Sequence, residues 1–352
     1  MFLTVCVLLS GSAVARGQCR IRVVGDQFFV GDDRIWINGA NTPWDSWNDF
    51  GGRFDFSFWD QHFAALRENG VNATRVWITC NGAVGIFIDE DGHVTGAWPA
   101  HWRHLDSFFS IAEKHGVYIK ATLMSFDHFQ DYHPAYQRWR RWIMDISNIE
   151  SYIDNYLIPF LDRYGENPYL WSIDLINEPD WVFENSKIDW GYIQEYLARA
   201  AVAIHQHSDV LVTVGIAVIK YSSDTCPGAQ GNKVSDAALQ AKVDDPRAYL
   251  DYYSIHYWPW QDRWFGVPHY MDPESYGLDS DRPAVIGESP ALGSSRGSIA
   301  EDYLRAYENG WQGLMAWTSN GVDEHGSLDD IGQGTRSFRD LYRDLVFTEA
   351  SW

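Results

Sequence analysis

Eight short apolar, β-rich runs separated by helix-like stretches constrain this chain more than any other feature of its sequence. The runs are 34–38 (RIWIN), 71–78 (VNATRVWI), 117–124 (VYIKATLM), 170–176 (LWSIDLI), 210–216 (VLVTVGI), 252–258 (YYSIHYW), 283–288 (PAVIGE) and 313–317 (GLMAW). Near-continuous hydrophobicity suits strands covered on both faces, and strands alternating with helices form parallel sheets. Between the runs, 57–69 carries Phe58, Phe63 and Leu66 near helical spacing and ends at Gly70, suited to a left-handed C-cap. The stretches 102–115 and 149–164 end likewise at Gly116 and Gly165, 190–207 follows the fourth run, 298–309 ends at Gly310, and 335–346 closes the series. Residues 237–250 and 273–276 are weaker helical patterns. Eight such units in 352 residues predict a single-domain α/β fold, the (β/α)8 TIM barrel. An open dinucleotide-binding sheet would carry a GxGxxG turn after its first strand, and none is present. Residues 18–33 alternate around Gly31 and predict an N-terminal β-hairpin plugging the barrel floor.

Acidic residues outnumber basic ones 48 to 27, a net charge of −21. That balance argues against nucleic-acid or anionic-membrane partners, which select a basic patch. With 18 tryptophans, 19 tyrosines and 18 phenylalanines, the chain is rich in flat surfaces of the kind a sugar ring can stack on. Phe2 to Leu9 form an apolar run leading into Ser10, Gly11, Ser12 and Ala13, too short to span a bilayer but suited to a secretory signal. No Lys or Arg precedes it, a departure from the usual signal pattern. Small residues allow cleavage after Ala15 or Gly17, so residues 1–17 are expected to be a signal peptide, 18–352 the single barrel domain, and the mature protein secreted and extracellular. Cys6 would leave with the signal; Cys19, Cys80 and Cys226 would permit one disulfide of undetermined pairing and one free thiol. No CxxC spacing or local His/Cys cluster supports a zinc site, and neither metal nor cofactor is expected.

In a TIM barrel, chemistry gathers at the C-terminal ends of the strands. There the sequence places Arg75 on the second strand, Asn177-Glu178-Pro179 on the fourth, His256-Tyr257-Trp258 on the sixth, Gly287-Glu288-Ser289 on the seventh and Trp317 on the eighth. Each of the two glutamates directly follows a hydrophobic run, a costly place for a charge without a task. Paired carboxylates flanking one bond are what glycoside hydrolysis requires. For Glu178 alone, the competing reading is a helix N-terminal carboxylate ahead of Pro179; the pair is the signal.

With these residues in place, the chain resembles glycoside hydrolase family 5 of clan A, over about residues 34–317, and within it the β-mannanase branch. The resemblance implies Glu178 as acid/base and Glu288 as nucleophile of a retaining mechanism. It implies Arg75 as the contact that keeps the nucleophile ionised, Asn177 on the sugar 2-hydroxyl, His256 as the strand-six histidine and Trp317 as the floor of subsite −1. The family usually reads His-x-Tyr on strand six; here the second position is Trp258, while Tyr257 should alternate to the opposite face. Trp258 can donate its indole N–H but cannot accept a proton.

The substrate expected from this resemblance is an internal β-1,4-linked mannan-type polysaccharide, cleaved by a monomer, with cellulose or another β-glucan as the alternative. A catalytically silent carbohydrate-binding barrel would be expected to lack one carboxylate, and both are present. Trp44, Trp47, Trp181, Trp258, Trp260 and Trp264 lie in predicted strand-end loops and are candidate subsite walls. Asp127 and His128 after the third strand are expected to be structural. Asp89–Gly92 reads as a hairpin turn rather than a calcium loop, as in the strand-two loop of invertebrate-type β-mannanases. His205 and His207 are expected to be solvated, and Arg138–Arg141 to be an ion-paired loop. Asn72 starts a glycosylation sequon inside a buried strand.

Overall fold

The computed structural model describes residues 20–347, so the proposed signal segment and Cys19 lie outside the described residues. The barrel strands are β4 (Ile37–Asn41), β5 (Ala73–Trp77), β8 (Tyr118–Thr122), β9 (Leu170–Asn177), β10 (Leu211–Ile216), β11 (Tyr253–His256), β12 (Ala284–Pro290) and β13 (Gly313–Trp317). They pair in parallel and close into one ring, with β13 against β4. This is the eight-stranded (β/α)8 barrel expected from the runs. Every residue of β4, β5, β8, β9, β10, β11 and β13 is buried, which explains why their sequences show hydrophobic runs rather than alternation.

The N-terminal segment departs from the expected hairpin. It folds as three antiparallel strands, β1 (Ile21–Val24), β2 (Gln27–Val30) and β3 (Asp33–Ile35), turning at Gly25 and again at Gly31. Arg34 and Ile35, read as the start of the first barrel strand, belong to this sheet, and the barrel begins at Ile37. Periodicity could not separate two strands divided by a single residue. The plugging role holds: Ile21, Phe28, Val30 and Ile35 pack with Trp171, Tyr252, Val285 and Met315 in a closed cluster at the barrel floor. Phe28 sets its edge against both Trp171 and Tyr252 at 5.5 and 5.4 Å.

The helices follow their signals with instructive exceptions. Asp55 caps the helix Phe56–Glu68 by accepting from the amides of Ser57 and Phe58, and Ser298 with Glu301 forms a capping box ahead of Ile299–Glu308. Gly116 takes the left-handed C-cap conformation, whereas Gly165 stays right-handed. The stretch 149–164 starts earlier, at Ile146, and contains a π-helical turn over Ile153–Leu157 that the 3.6-residue period does not reveal. The closing helix begins at Leu328 and breaks at Tyr342 before Arg343–Val346. Arg138–Arg141 lie on the helix Tyr136–Ile143 rather than in a loop, with Arg138 paired to Glu90 and Trp139 fully buried. The strands β6 (Ile86–Ile88) and β7 (Val94–Ala97) flank the Asp89–Gly92 turn as expected.

One further expectation is corrected. His205 is not free in solvent: it stacks on Tyr249 at 4.1 Å and bonds the carbonyl of Arg247 and the carboxylate of Asp251. Cys80 and Cys226 are both buried free thiols, so they form no disulfide with each other. Asn72 is buried, and its amide donates to the carbonyls of Trp36 and Val346, so this sequon is closed to a glycan in the folded state.

Candidate active site

A strand aims alternate side chains into the barrel, so a residue pair two apart shares the interior. On β5 this turns Arg75 and Trp77 inward together, with the guanidinium carbon 4.2 Å from the Trp77 ring centre. Arg75 is completely buried. Its Nε donates to Asp174 at 2.8 Å, its Nη1 to Glu288 at 2.6 Å, and its Nη2 to Asn177 Oδ1 at 2.7 Å. One guanidinium thus organises β5, β9 and β12. Removing one partner from such a buried pair costs about 3–5 kcal/mol, because the remaining charge is left uncompensated.

Two bulges place the carboxylates. Between β9 and β10, Asp174 pairs opposite Thr213 but Asn177 pairs opposite Gly215, so β9 carries an extra residue. That insertion lets both Asp174 and Asn177 meet Arg75. On β12, Ile286 aligns with Ile255 and Glu288 with His256, leaving Gly287 as the inserted residue. A Cβ on Gly287 would lie 2.3 Å from Ser254 Oγ, so only glycine fits the bulge that swings Glu288 into the site. Glu178 then leaves β9 with φ +53°, a left-handed conformation that costs a non-glycine residue roughly 1–2 kcal/mol. Its side chain does not cap the following helix Pro179–Glu184, which removes the helix-terminus reading. Instead, Glu178 Oε1 lies 2.8 Å from His256 Nδ1.

His256 joins the two carboxylates, since the same Nδ1 is 3.4 Å from Glu288 Oε1. Burial holds this imidazole well below its usual pKa, with Arg75 and Lys120 adding repulsion, so it is neutral. Its Nε2 is buried without a partner, which favours the proton on Nδ1, donated towards the glutamates. One ligand atom from each of Glu178, His256 and Glu288 falls within 4.8 Å of the others. Burial raises both carboxyl groups, and Glu288 raises Glu178 further. Arg75 acts directly on Glu288 through a salt bridge, so the proton shared by this pair settles on Glu178 and the charge on Glu288.

Around the carboxylates the cleft is lined by Trp44, Trp77, Trp258 and Trp317, with Asn177, Asp127 and His325. Trp77 and Trp317 meet edge to face at 5.3 Å, and Trp44 closes on both at 5.9 and 6.3 Å. Asn177 spends its oxygen on Arg75, which leaves its amide N–H groups for a ligand.

The structure gathers all seven sequence-selected residues, Arg75, Asn177, Glu178, His256, Trp258, Glu288 and Trp317, at one mouth. The alternation expected on β11 holds: Trp258 enters the cleft, while Tyr257 turns outward and donates to Asp262 at 2.7 Å. Asp127 was expected to be structural, yet it lines the cleft; Ser125 at 2.7 Å and His133 at 3.5 Å position it. His128 does stay structural, closing a capping box with Ser125. Sequence reasoning missed Asn41, Asp174 and Lys120 behind the site and Trp77, Asp323 and His325 along it. A buried charge inside a strand run was the available signal for Asp174 and Lys120. Trp181, Trp260 and Trp264 do not join the carboxylates; with Phe265 and Lys220 they line a separate hollow, which Trp181 enters three residues after Glu178.

No protein-family model matches the chain. A mannan endo-1,4-β-mannosidase of Mytilus edulis is 24% identical, the alignment covering 94% of this chain and 96% of that protein. One of Cryptopygus antarcticus is also 24% identical, over 85% of this chain and 84% of the relative. The solved β-1,4-mannanase of Aplysia kurodai superposes with a TM-score of 0.81 at 23% identity, covering 94% of this chain and 98% of that one. The resemblance to the β-mannanase branch of glycoside hydrolase family 5 is borne out. It extends along nearly the whole described barrel rather than resting on two motifs.

Proposed function

We propose that the chain is an endo-β-1,4-mannanase that cleaves internal β-1,4-mannosidic bonds of mannan by double displacement with retention. The observation that carries this reading is the glutamate pair: two buried carboxylates bridged by one neutral histidine, with a guanidinium on only one of them. Their nearest oxygens lie within 4.8 Å, on the side of the roughly 5–5.5 Å spacing that retaining enzymes use and short of the roughly 6.5–9.5 Å that leaves room for an attacking water. Glu288, ionised against Arg75, attacks the anomeric carbon while Glu178 gives its proton to the leaving oxygen. In the second step Glu178, then anionic, takes a proton from a water whose oxygen bonds to the anomeric carbon, breaking the bond to Glu288 and restoring both carboxyl groups. The mannan endo-1,4-β-mannosidases that align over most of this chain favour mannan as the polymer. The aromatic hollow at Trp181, Trp260 and Trp264 would meet a chain extending past Glu178, which suits a polymer better than a disaccharide.

Parallel assays on mannan and carboxymethyl-cellulose test the substrate. Mannan is expected to be cut internally, with an early fall in viscosity, and cellulose to be turned over far more slowly. A preference for cellulose would move the reading to a β-glucanase, and no turnover by folded protein on either polymer would end the enzyme reading.

We also infer that the protein is secreted, on the strength of the apolar run from Phe2 to Leu9 and the small residues after it, and that it works as a monomer, since one barrel supplies both glutamates and the cleft around them. Among the described residues, no helix is long and apolar enough to cross a membrane. Protein recovered from culture medium should elute as a monomer and begin near residue 18; an intact N terminus on cell-retained protein would contradict secretion.

A further inference from the structure

Behind the two glutamates sits a second buried cation that the double displacement itself does not use. Lys120 points into the barrel from β8 and is completely buried. Its Nζ donates to Ser254 Oγ at 2.7 Å and lies 3.9 Å from Asp174 Oδ2. Asp174 in turn takes Arg75 at 2.8 Å, and Arg75 takes Glu288 at 2.6 Å. The interior therefore holds an alternating chain, Lys120, Asp174, Arg75, Glu288, running from the barrel centre to the cleft. Ser254, which receives the ammonium, is also the residue whose hydroxyl requires glycine at position 287, so the lysine anchor and the bulge that aims Glu288 are one construction.

The titratable groups facing this chain come from four of the other barrel strands. Arg75 arrives from β5, Asp174 from β9, His256 from β11 and Glu288 from β12, with Glu178 at the end of β9 and the Tyr252 ring 5.6 Å from Nζ. His256 is neutral, and Glu178 carries its proton. Without Lys120, the single positive charge of Arg75 would be divided between Asp174 and Glu288, leaving one buried negative charge uncompensated. With Lys120 protonated, two cations face two anions.

We propose that Lys120 is a positioning residue that keeps Glu288 ionised by neutralising Asp174, so that the whole charge of Arg75 is available to the nucleophile. This rests on the reading of Glu288 as nucleophile. Burial brings the pKa of Lys120 itself down to about 7, against the upward pull of Asp174 and Glu288, so the ammonium is present on the acidic side of neutrality, where the acidic limb of activity is read.

The test is Lys120→Met, which keeps the length of the side chain and deletes the charge. Removing a nearby cation disfavours the carboxylate, so the Glu288 pKa rises. The acidic limb of kcat/KM on mannan oligosaccharides should then move up by about one pH unit, the low end of single-charge effects, with a roughly tenfold loss on that limb and less near the optimum. A 13C-NMR titration of the Glu288 carboxyl, assigned by difference from Glu288→Gln, should move by the same amount without any substrate. If folded Lys120→Met leaves both unchanged, the proposal is overturned. If the carboxyl titration shifts while the wild-type protein hydrolyses no mannan, the lysine inference stands and the activity reading fails. Should Lys120→Met not fold, Ser254→Ala removes the acceptor of Nζ and should give a smaller shift in the same direction; no shift overturns the proposal.

Discussion

Glu288→Ala should abolish hydrolysis of mannan, lowering kcat on the order of 10^4-fold or more, because it removes the carboxylate that Arg75 holds at 2.6 Å as the attacking group. The substitution empties a pocket beside Arg75 but leaves Asp174 and Asn177 bonded to the guanidinium, so the fold should persist. Azide can occupy the space left by the carboxylate, and Arg75 supplies a positive charge to receive it. With an activated aryl mannoside, azide is therefore expected to restore turnover and to give the mannosyl azide of inverted configuration, since one displacement replaces two. A rescued product of retained configuration would place the nucleophile elsewhere.

Glu178→Ala should behave differently because it removes the proton donor and spares the attacking group. The loss on mannan should be about 10^2- to 10^4-fold, the range of general acid catalysis, and much smaller on an aryl mannoside whose leaving group needs no proton. Azide should here give the product of retained configuration, by attacking the glycosyl-enzyme. The pH dependence follows from the same geometry. With the proposed roles, wild-type activity requires Glu288 ionised and Glu178 protonated, so it should rise through the Glu288 pKa and fall through the Glu178 pKa. Burial and the neighbouring carboxylate raise the latter well above the usual range. The variant should lose the alkaline limb and keep the acidic one; an alkaline limb that survives Glu178→Ala would assign it to another group.

Much of this geometry was visible in one dimension. Strand runs buried on both faces are continuous in hydrophobicity, so eight of them announce a barrel, and chain direction alone sends their last residues to one mouth. That is why Arg75, Asn177, Glu178, His256, Trp258, Glu288 and Trp317, each at or beside the end of such a run, stand together at the cleft. Boundaries were less legible where a single residue separates two strands, as at Trp36 between β3 and the barrel, or where a π turn interrupts a helical period, as at Ile153–Leu157.

Trp181, Trp260 and Trp264 marked the limit of composition as a guide. Tryptophans in strand-end loops have the same local signature whether they face the carboxylates or form a shelf of their own, and only the loop paths separate them. Asp127 was misjudged for the same reason: its local bond to Ser125 is what a structural aspartate would make, and its exposure to the cleft depends on loops far away in sequence.

The sequence by itself determined the barrel, its floor plug and the two glutamates, because those follow from side-chain period and chain direction, which are local. The tertiary structure decided how the charges are shared. The bulges in β9 and β12 exist only as mismatches between paired strands, and the sequence of one strand does not contain its partner's register. Through those bulges Arg75 reaches Asp174, Asn177 and Glu288 at once, and Lys120 stands behind Asp174. Which glutamate holds the proton is set by that three-dimensional count of charges in a dry interior, where a neighbour at 2.6 Å matters and its distance along the chain does not.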